Sequence, residues 1–124
     1  MIYKIQVDGI PDGPNKIGQM HWAKKNTHKR EWTEKVGWLA RSVNRPKVPF
    51  EKAHIHFKIN FGNNQRHDPD NANFAVSKPS LDALVGVFIQ DDSIDNIELS
   101  YEYTREKPRG FEITITEIKE NNNE

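Results

Sequence analysis

The chain has 124 residues, with 18 Lys+Arg balancing 18 Asp+Glu, and no cysteine. That length supports one domain with one core, and the missing thiols exclude a disulfide framework and a thiolate zinc site. No run approaches the roughly 20 apolar residues that span a bilayer, and the alternating, charged N-terminus is not a signal peptide, so a soluble, cytoplasmic protein with no membrane partner is expected.

The neutral total conceals a segregation. Residues 1–60 carry 12 Lys+Arg against 5 Asp+Glu, and residues 61–124 carry 6 against 13. A basic half beside an acidic half suits a phosphate-gripping surface next to a metal-gripping pocket, although charges so divided along a chain often intermingle on folding.

Residues 2–7 alternate and predict a strand. The turn formers of 8–15 predict a loop that continues to Trp22, with Met20 and Trp22 packing against the core. Asn26-Thr27 reads as a helix cap, and Trp32, Val36, Leu39, Ala40 and Val43 then recur on one helical face until Asn44-Arg45-Pro46 stops it. From Ala53 to Phe61 the alternation is strict. Ile55, Phe57, Ile59 and Phe61 share one face of a strand, and His54 and His56 lie on the other, read as a solvated face rather than a metal pair. Residues 62–77 lack a period and are expected to be irregular. Pro79 opens a predicted helix over 79–85, closed near Gly86. Ile97, Leu99, Tyr101 and Tyr103 alternate in a long strand, 107–110 makes a turn, and Phe111, Ile113 and Ile115 return as a C-terminal β-hairpin. The expected fold is a single α/β (α+β) domain in the order β-α-β-α-β-β, a mixed sheet with helices packed on it, over 1–118, followed by a frayed tail at 119–124.

The chemistry concentrates between Arg66 and Ser93. Asp68 and Asp70 stand two residues apart, and Asp91 and Asp92 are adjacent. Mg²⁺ takes oxygen ligands, few of them from protein, so carboxylates from the ends of neighbouring strands suit it, with Mn²⁺ as a substitute. Each cluster alone is equally a turn or a helix cap. An EF-hand beginning at Asp68 fails, because Asn73 falls where glycine is needed and Pro79 where the bidentate glutamate belongs. Lys78, at the N-terminal edge of the predicted 79–85 helix, meets the positive end of the helix dipole. A lysine so placed beside carboxylates fits a phosphate ligand that offsets charge developing during attack, whereas a pair with Asp82 at i, i+4 is the structural alternative. Asp82 is read as scaffold.

Taken together, D68-x-D70-N71, K78-P-S-L-D82-A-L84, V87-F88-I89 leading into D91-D92, and the E-I-T-I-T-E run from Glu112 to Glu117 resemble the RusA family of Holliday-junction resolvases. The likeness is strongest over 66–118, and the H-W-x-x-x-N portion at His21 is similar to phage-borne variants. It implies a homodimeric, Mg²⁺-dependent endodeoxyribonuclease that resolves four-way DNA junctions by paired nicks. On this chain it implies Asp68, Asp70, Lys78 and Asp92 as catalytic residues and Asp68, Asp70, Asp91 and Asp92 as metal ligands. The spacing from Asp70 to Lys78 is longer here than in the family's familiar form, by the insertion A-N-F-A. Lys16, Lys24, Lys25, Lys29 and Arg30 are the candidate contacts to the DNA backbone. Two other expectations stay open: a non-catalytic DNA-binding module whose acidic cluster is structural, and a metal-dependent nuclease that prefers flaps or forks.

Overall fold

In the computed structural model, which describes residues 2–119, seven elements follow one another: β1 (Ile2–Asp8), α1 (Pro14–Ile17), α2 (Trp22–Ser42), β2 (Ala53–Asn60), α3 (Pro69–Leu84), β3 (Ile97–Thr104) and β4 (Gly110–Glu117). Apart from Lys119, the expected tail lies outside the described residues. The strands form one mixed sheet in the order β1-β4-β2-β3. β4 runs antiparallel to β1 and β2, and β3 runs parallel to β2. β1, β2 and β3 therefore share one direction. Helical crossovers join them, as parallel strands require, and the expected α+β class is borne out.

The alternation of the sequence explains the layers. Ile5, Val7, Ile55, Phe57, Ile59, Phe111, Ile113 and Ile115 point to one face and are buried. Val36 and Ala40 of α2 and Val76, Ala83 and Leu84 of α3 join them in that core, with Trp32, Leu39 and Val43 packed at its margin. The opposite face is polar but not merely solvated. His54 Nε2 and His56 Nδ1 each lie 2.6 Å from Ser100 Oγ, and His56 Nε2 lies 3.0 Å from Glu102. The two histidines tie β2 to β3 across the open face.

Four expectations need correction. The first long helix starts at Trp22, where His21 Nδ1 accepts the Ala23 N–H at 3.3 Å. Thr27 is inside it, its hydroxyl donating to the Ala23 carbonyl at 3.0 Å. Trp22 consequently projects into solvent instead of packing on the core. The second long helix begins at Pro69, a full ten residues before Pro79, which lies within it. Its buried stripe of Ala72, Ala75, Val76, Pro79, Ser80, Ala83 and Leu84 has helical spacing, but its first half is built of alanines and a valine that give little hydrophobic contrast. Pro79 removes one backbone hydrogen bond, that to the Ala75 carbonyl, and the buried Ser80 Oγ next to it donates to the Val76 carbonyl at 2.6 Å. Finally, β3 and β4 are consecutive and antiparallel in sense, as in a hairpin, but β2 lies between them. They share no ladder, because Ile113 and Ile115 are buried on both flanks only when β4 is central, between β1 and β2.

Candidate functional site

Three connections meet at the carboxyl ends of β1, β2 and β3: residues 9–13, 61–68 and 105–109. Ligands of open parallel sheets bind at this end, outside the strand termini. The start of α3 is set there by Asp68-Pro69-Asp70. Asp68 takes the N-cap position with extended backbone (φ −91°, ψ 122°), Pro69 needs no N–H in the first turn, and Asp70 lies in that turn. An acid so placed gains about 0.3–1 kcal/mol from the helix dipole. The Asp68 carboxylate makes no capping hydrogen bond and instead lies 3.5 Å from Arg66 Nε. Asp70 Oδ1 accepts the Asn71 N–H at 2.9 Å. Both residues are exposed, so their remaining oxygens face solvent.

A cavity of about 250 Å³ lies against this helix start, lined among others by Gly13, Arg66, His67, Asp68, Asn71 and Arg109. Asn71 forms part of its wall, its Oδ1 buried without a hydrogen-bond partner. The amide is jammed against the 9–13 connection: a Cβ on Gly13 would lie 2.1 Å from Asn71 Nδ2, so no larger residue fits while Asn71 stays in place. His67 stacks flat on Phe61, with ring centroids 3.9 Å apart, and its Nε2 meets Asn63 Oδ1 at 2.7 Å. Loss of solvation holds its imidazole below the ordinary value of 6.5, reinforced by Arg105 and Arg109. Arg105 in turn donates to the carbonyls of Gln65 and Asn63, at 2.7 and 3.4 Å, and so pins the 61–68 connection. Residue spacing does not reveal this arginine rim, because its members come from separate connections and only the topology assembles them.

Beside this rim lies a second, more apolar cleft of about 240 Å³ between α2 and α3, lined by Trp32, Phe74 and Pro79 and by Lys25, Lys29 and Lys78. Of the cations proposed for DNA backbone contact, Lys25 and Lys29 therefore converge with Lys78 on one groove. Lys24 and Arg30 are exposed on α2 and are not among its lining residues. Lys16 sits on α1 and pairs with Asp12 at 3.4 Å. The expected place of Lys78 at a helix N-terminus is corrected, since Lys78 lies well inside α3. Its Nζ is 3.4 Å from Asp82 Oδ1, the structural alternative, and Lys29 approaches the other oxygen at 3.9 Å. Asp82 thus lies between two lysines.

Asp91 and Asp92 are elsewhere. They lie in the 85–96 connection, exposed, with Asp91 Oδ1 accepting the Asp92 N–H at 2.8 Å. This connection is tied to the amino end of the sheet: Gln90 N–H donates to the Phe50 carbonyl at 3.0 Å, and Asn96 Nδ2 to the Glu51 carbonyl at 2.8 Å. The whole of α3, about 24 Å at 1.5 Å per residue, separates them from Asp68 and Asp70. The expectation that neighbouring strand ends of one chain present Asp68 and Asp91/Asp92 to a shared ion is therefore corrected. A strand–helix–strand crossover returns the chain to the start of the next strand, so the residues leading into β3 lie at the opposite end from those leaving β2. Among the described residues, no group of three or more His, Cys, Asp or Glu side chains is placed to hold a metal ion, and no helix is long and apolar enough to cross a membrane.

Compared with known proteins, the chain matches no protein-family model and no curated protein.

Proposed function

We propose that this protein is a Mg²⁺-dependent, structure-selective endodeoxyribonuclease that acts on four-way DNA junctions as a homodimer. The observation that carries the reading is the setting of Asp68 and Asp70. Two solvent-facing carboxylates stand at the carboxyl end of the parallel strands, beside Arg66, Arg105 and Arg109 and next to a groove holding Lys25, Lys29 and Lys78. Anionic hard ligands flanked by cations match what a phosphodiester and a divalent ion require together.

The donor set fits magnesium. Asp68 and Asp70 supply two carboxylates, and magnesium keeps several waters and needs few protein ligands. Bound there, the ion would supply Lewis-acid stabilisation of the phosphate and a more acidic water. The chain's own residues do the rest. Lys78, Lys25 and Lys29 hold the backbone by charge, without reading bases. Arg66 and Arg105 lie where they can neutralise non-bridging phosphate oxygens. Trp32 and Phe74 offer apolar surface on which an unpaired base at a branch point can stack.

The test is to incubate purified protein and Mg²⁺ with a junction, a flap, a fork and a linear duplex of matched sequence. Paired nicks in the junction, with the linear duplex intact, are the expected result. Equal or better cutting of flaps or forks would move the substrate assignment. Asp68 also occupies the N-cap position of α3, and this favours the second reading of a non-catalytic DNA-binding module. Junction binding without cutting under Mg²⁺ or Mn²⁺ would select it.

A further inference from the structure

Three walls close the cleft between α2 and α3. Lys25, Lys29 and Trp32 recur at i, i+4 and i+7 on one side of α2, and Phe74, Lys78 and Pro79 come from one side of α3. The third wall is Pro11 and Asp12 together with Ile17 of α1. The Asp12 N–H donates to His28 Nε2 at 3.2 Å, which ties that wall to α2. The cavity of about 240 Å³ falls below the roughly 300–1,000 Å³ of sites for drug-sized ligands, so it fits one ring system.

Its two aromatic side chains differ. Trp32 is fixed against the core, with the His28 and Phe111 rings each 6.5 Å away between centroids and Lys35 Nζ 4.6 Å from its own centroid. A platform already immobile loses little freedom when a ring stacks on it. Phe74 is the opposite case. It is 52% exposed, although Ala72, Ala75 and Val76 around it on α3 are buried. The core does not need a large aromatic ring at this position.

The charge at the cleft calls for an anion. Lys25, Lys29 and Lys78 line it against one carboxylate, that of Asp12, which Lys16 already approaches at 3.4 Å. Asp82, outside the lining, lies 3.9 Å from Lys29 and 3.4 Å from Lys78 and so draws two of these ammonium groups together. An apolar slot with a cationic rim suits a flat ring joined to an anion. In DNA that unit is a nucleotide. Within a duplex both faces of each base are covered by neighbouring pairs, so only a nucleotide out of the stack brings a bare ring to these walls.

We propose that the α2–α3 cleft binds one unpaired nucleotide of a DNA strand, its base against Trp32 and Phe74 and its flanking phosphates held by Lys25, Lys29 and Lys78. Asn26 is the one side-chain amide in the lining, and His28 is engaged with Asp12, so the cleft takes any base by stacking instead of reading its edge. The binding depends on the cleft alone. One consequence rests on the nuclease reading and deepens it: the cleft selects DNA that exposes an unpaired base, and the carboxylates at the start of α3 cut it. Phe74 follows Asp70 by four residues, about 6 Å along the helix, so a base in the cleft lays its strand beside that helix start.

Hairpins of one sequence isolate the base: fully paired, with one bulged thymidine, and with an abasic site in place of that thymidine. By fluorescence anisotropy in EDTA, the thymidine bulge should bind about tenfold more tightly than the abasic bulge, the size of one stacked base. Phe74→Ala should abolish that ratio with an unchanged circular dichroism spectrum. Lys78→Ala should weaken binding of every hairpin and keep the ratio, because phosphate contacts do not sense the base. In the wild type, 5-iodo-2′-deoxyuridine at the bulge should photo-cross-link to Trp32 or Phe74, and this decides the matter if Phe74→Ala disturbs the fold. Equal affinity for the two bulges, a ratio that survives Phe74→Ala in a folded chain, or a cross-link to the exposed Trp22 or Trp38 would each overturn the cleft. Adding Mg²⁺ separates this inference from the nuclease reading. Nicking with no preference for the thymidine bulge overturns the cleft and leaves the nuclease, whereas the preference without nicking removes the nuclease and leaves the cleft.

Discussion

The two ends of the sheet are built from similar residue types and behave differently. At the carboxyl end, Asp68 and Asp70 are anchored by a 16-residue helix, with Arg66 and Arg109 lining the cavity against it and Arg105 the neighbouring one. At the amino end, Asp91 and Asp92 sit on a connection held by hydrogen bonds to the Phe50 and Glu51 carbonyls, with an isoleucine left in solvent. Carboxylates alone do not make a site. The cations, the cavity and the helix start distinguish the first pair.

The largest expected effect tests that difference in activity. Asp70→Asn should lower junction cleavage by more than about 100-fold, since losing a metal ligand exceeds the 10–100-fold typical of outer-shell losses, while junction binding measured by electrophoretic shift survives. Cutting by this variant at the wild-type rate would remove the carboxyl-end site altogether. Asp91→Asn, on the far connection and away from the arginine rim, should cost less than Asp70→Asn.

Two glycines probe the packing of the two ends. Gly13→Ala forces the Asn71 amide aside and should cost about 1–3 kcal/mol in urea unfolding, as overpacking does. Asn71→Ala in the same chain should recover most of that loss, and a purely additive pair would show that the crowding is not what matters. At the other end Gly86 has φ +84° and open space around it, so Gly86→Ala should cost about 1–2 kcal/mol by backbone strain alone, with no rescuing partner.

Smaller effects concern charge. Lys25→Ala and Lys78→Ala should each reduce the slope of log K against log salt for junction binding by about 1, whereas Lys24→Ala, outside the groove, should leave the slope nearly unchanged. The smallest effect belongs to His67. Its folded imidazole releases its proton more readily than that of the unfolded chain, so the native state favours the neutral form. That contribution is complete above pH 6.5 and is lost as pH falls through the lowered folded value. The difference in urea midpoint between wild type and His67→Gln should therefore narrow on acidification below pH 6.5 and stay flat above it.

Much of the fold is legible in the residue pattern. Strict alternation marks β2 and β3, and the Val36, Leu39, Ala40 spacing marks α2, because burial on one face imposes a period that polar residues reveal by contrast. That contrast fails in 62–77. A buried stripe of alanines and one valine gives little signal, and Pro79 reads as a helix start although Pro69 holds that position. The difference matters chemically, since the helix-start position is what singles out Lys78 in the sequence, whereas in the fold it is the groove shared with Lys25 and Lys29.

By itself the sequence determined which side chains carry charge and which faces are apolar. Those are local properties, set by neighbours within a few residues. Which carboxylates can meet was decided only by the tertiary structure. The crossover from β2 through α3 to β3 sends Asp91 and Asp92 to the far end, and the insertion of β4 between β1 and β2 leaves β3 as an open edge. Distance along a chain does not reveal direction in a sheet. The same topology brought Arg66, Arg105 and Arg109 from two connections to one rim, where spacing along the chain offers no sign that they belong together.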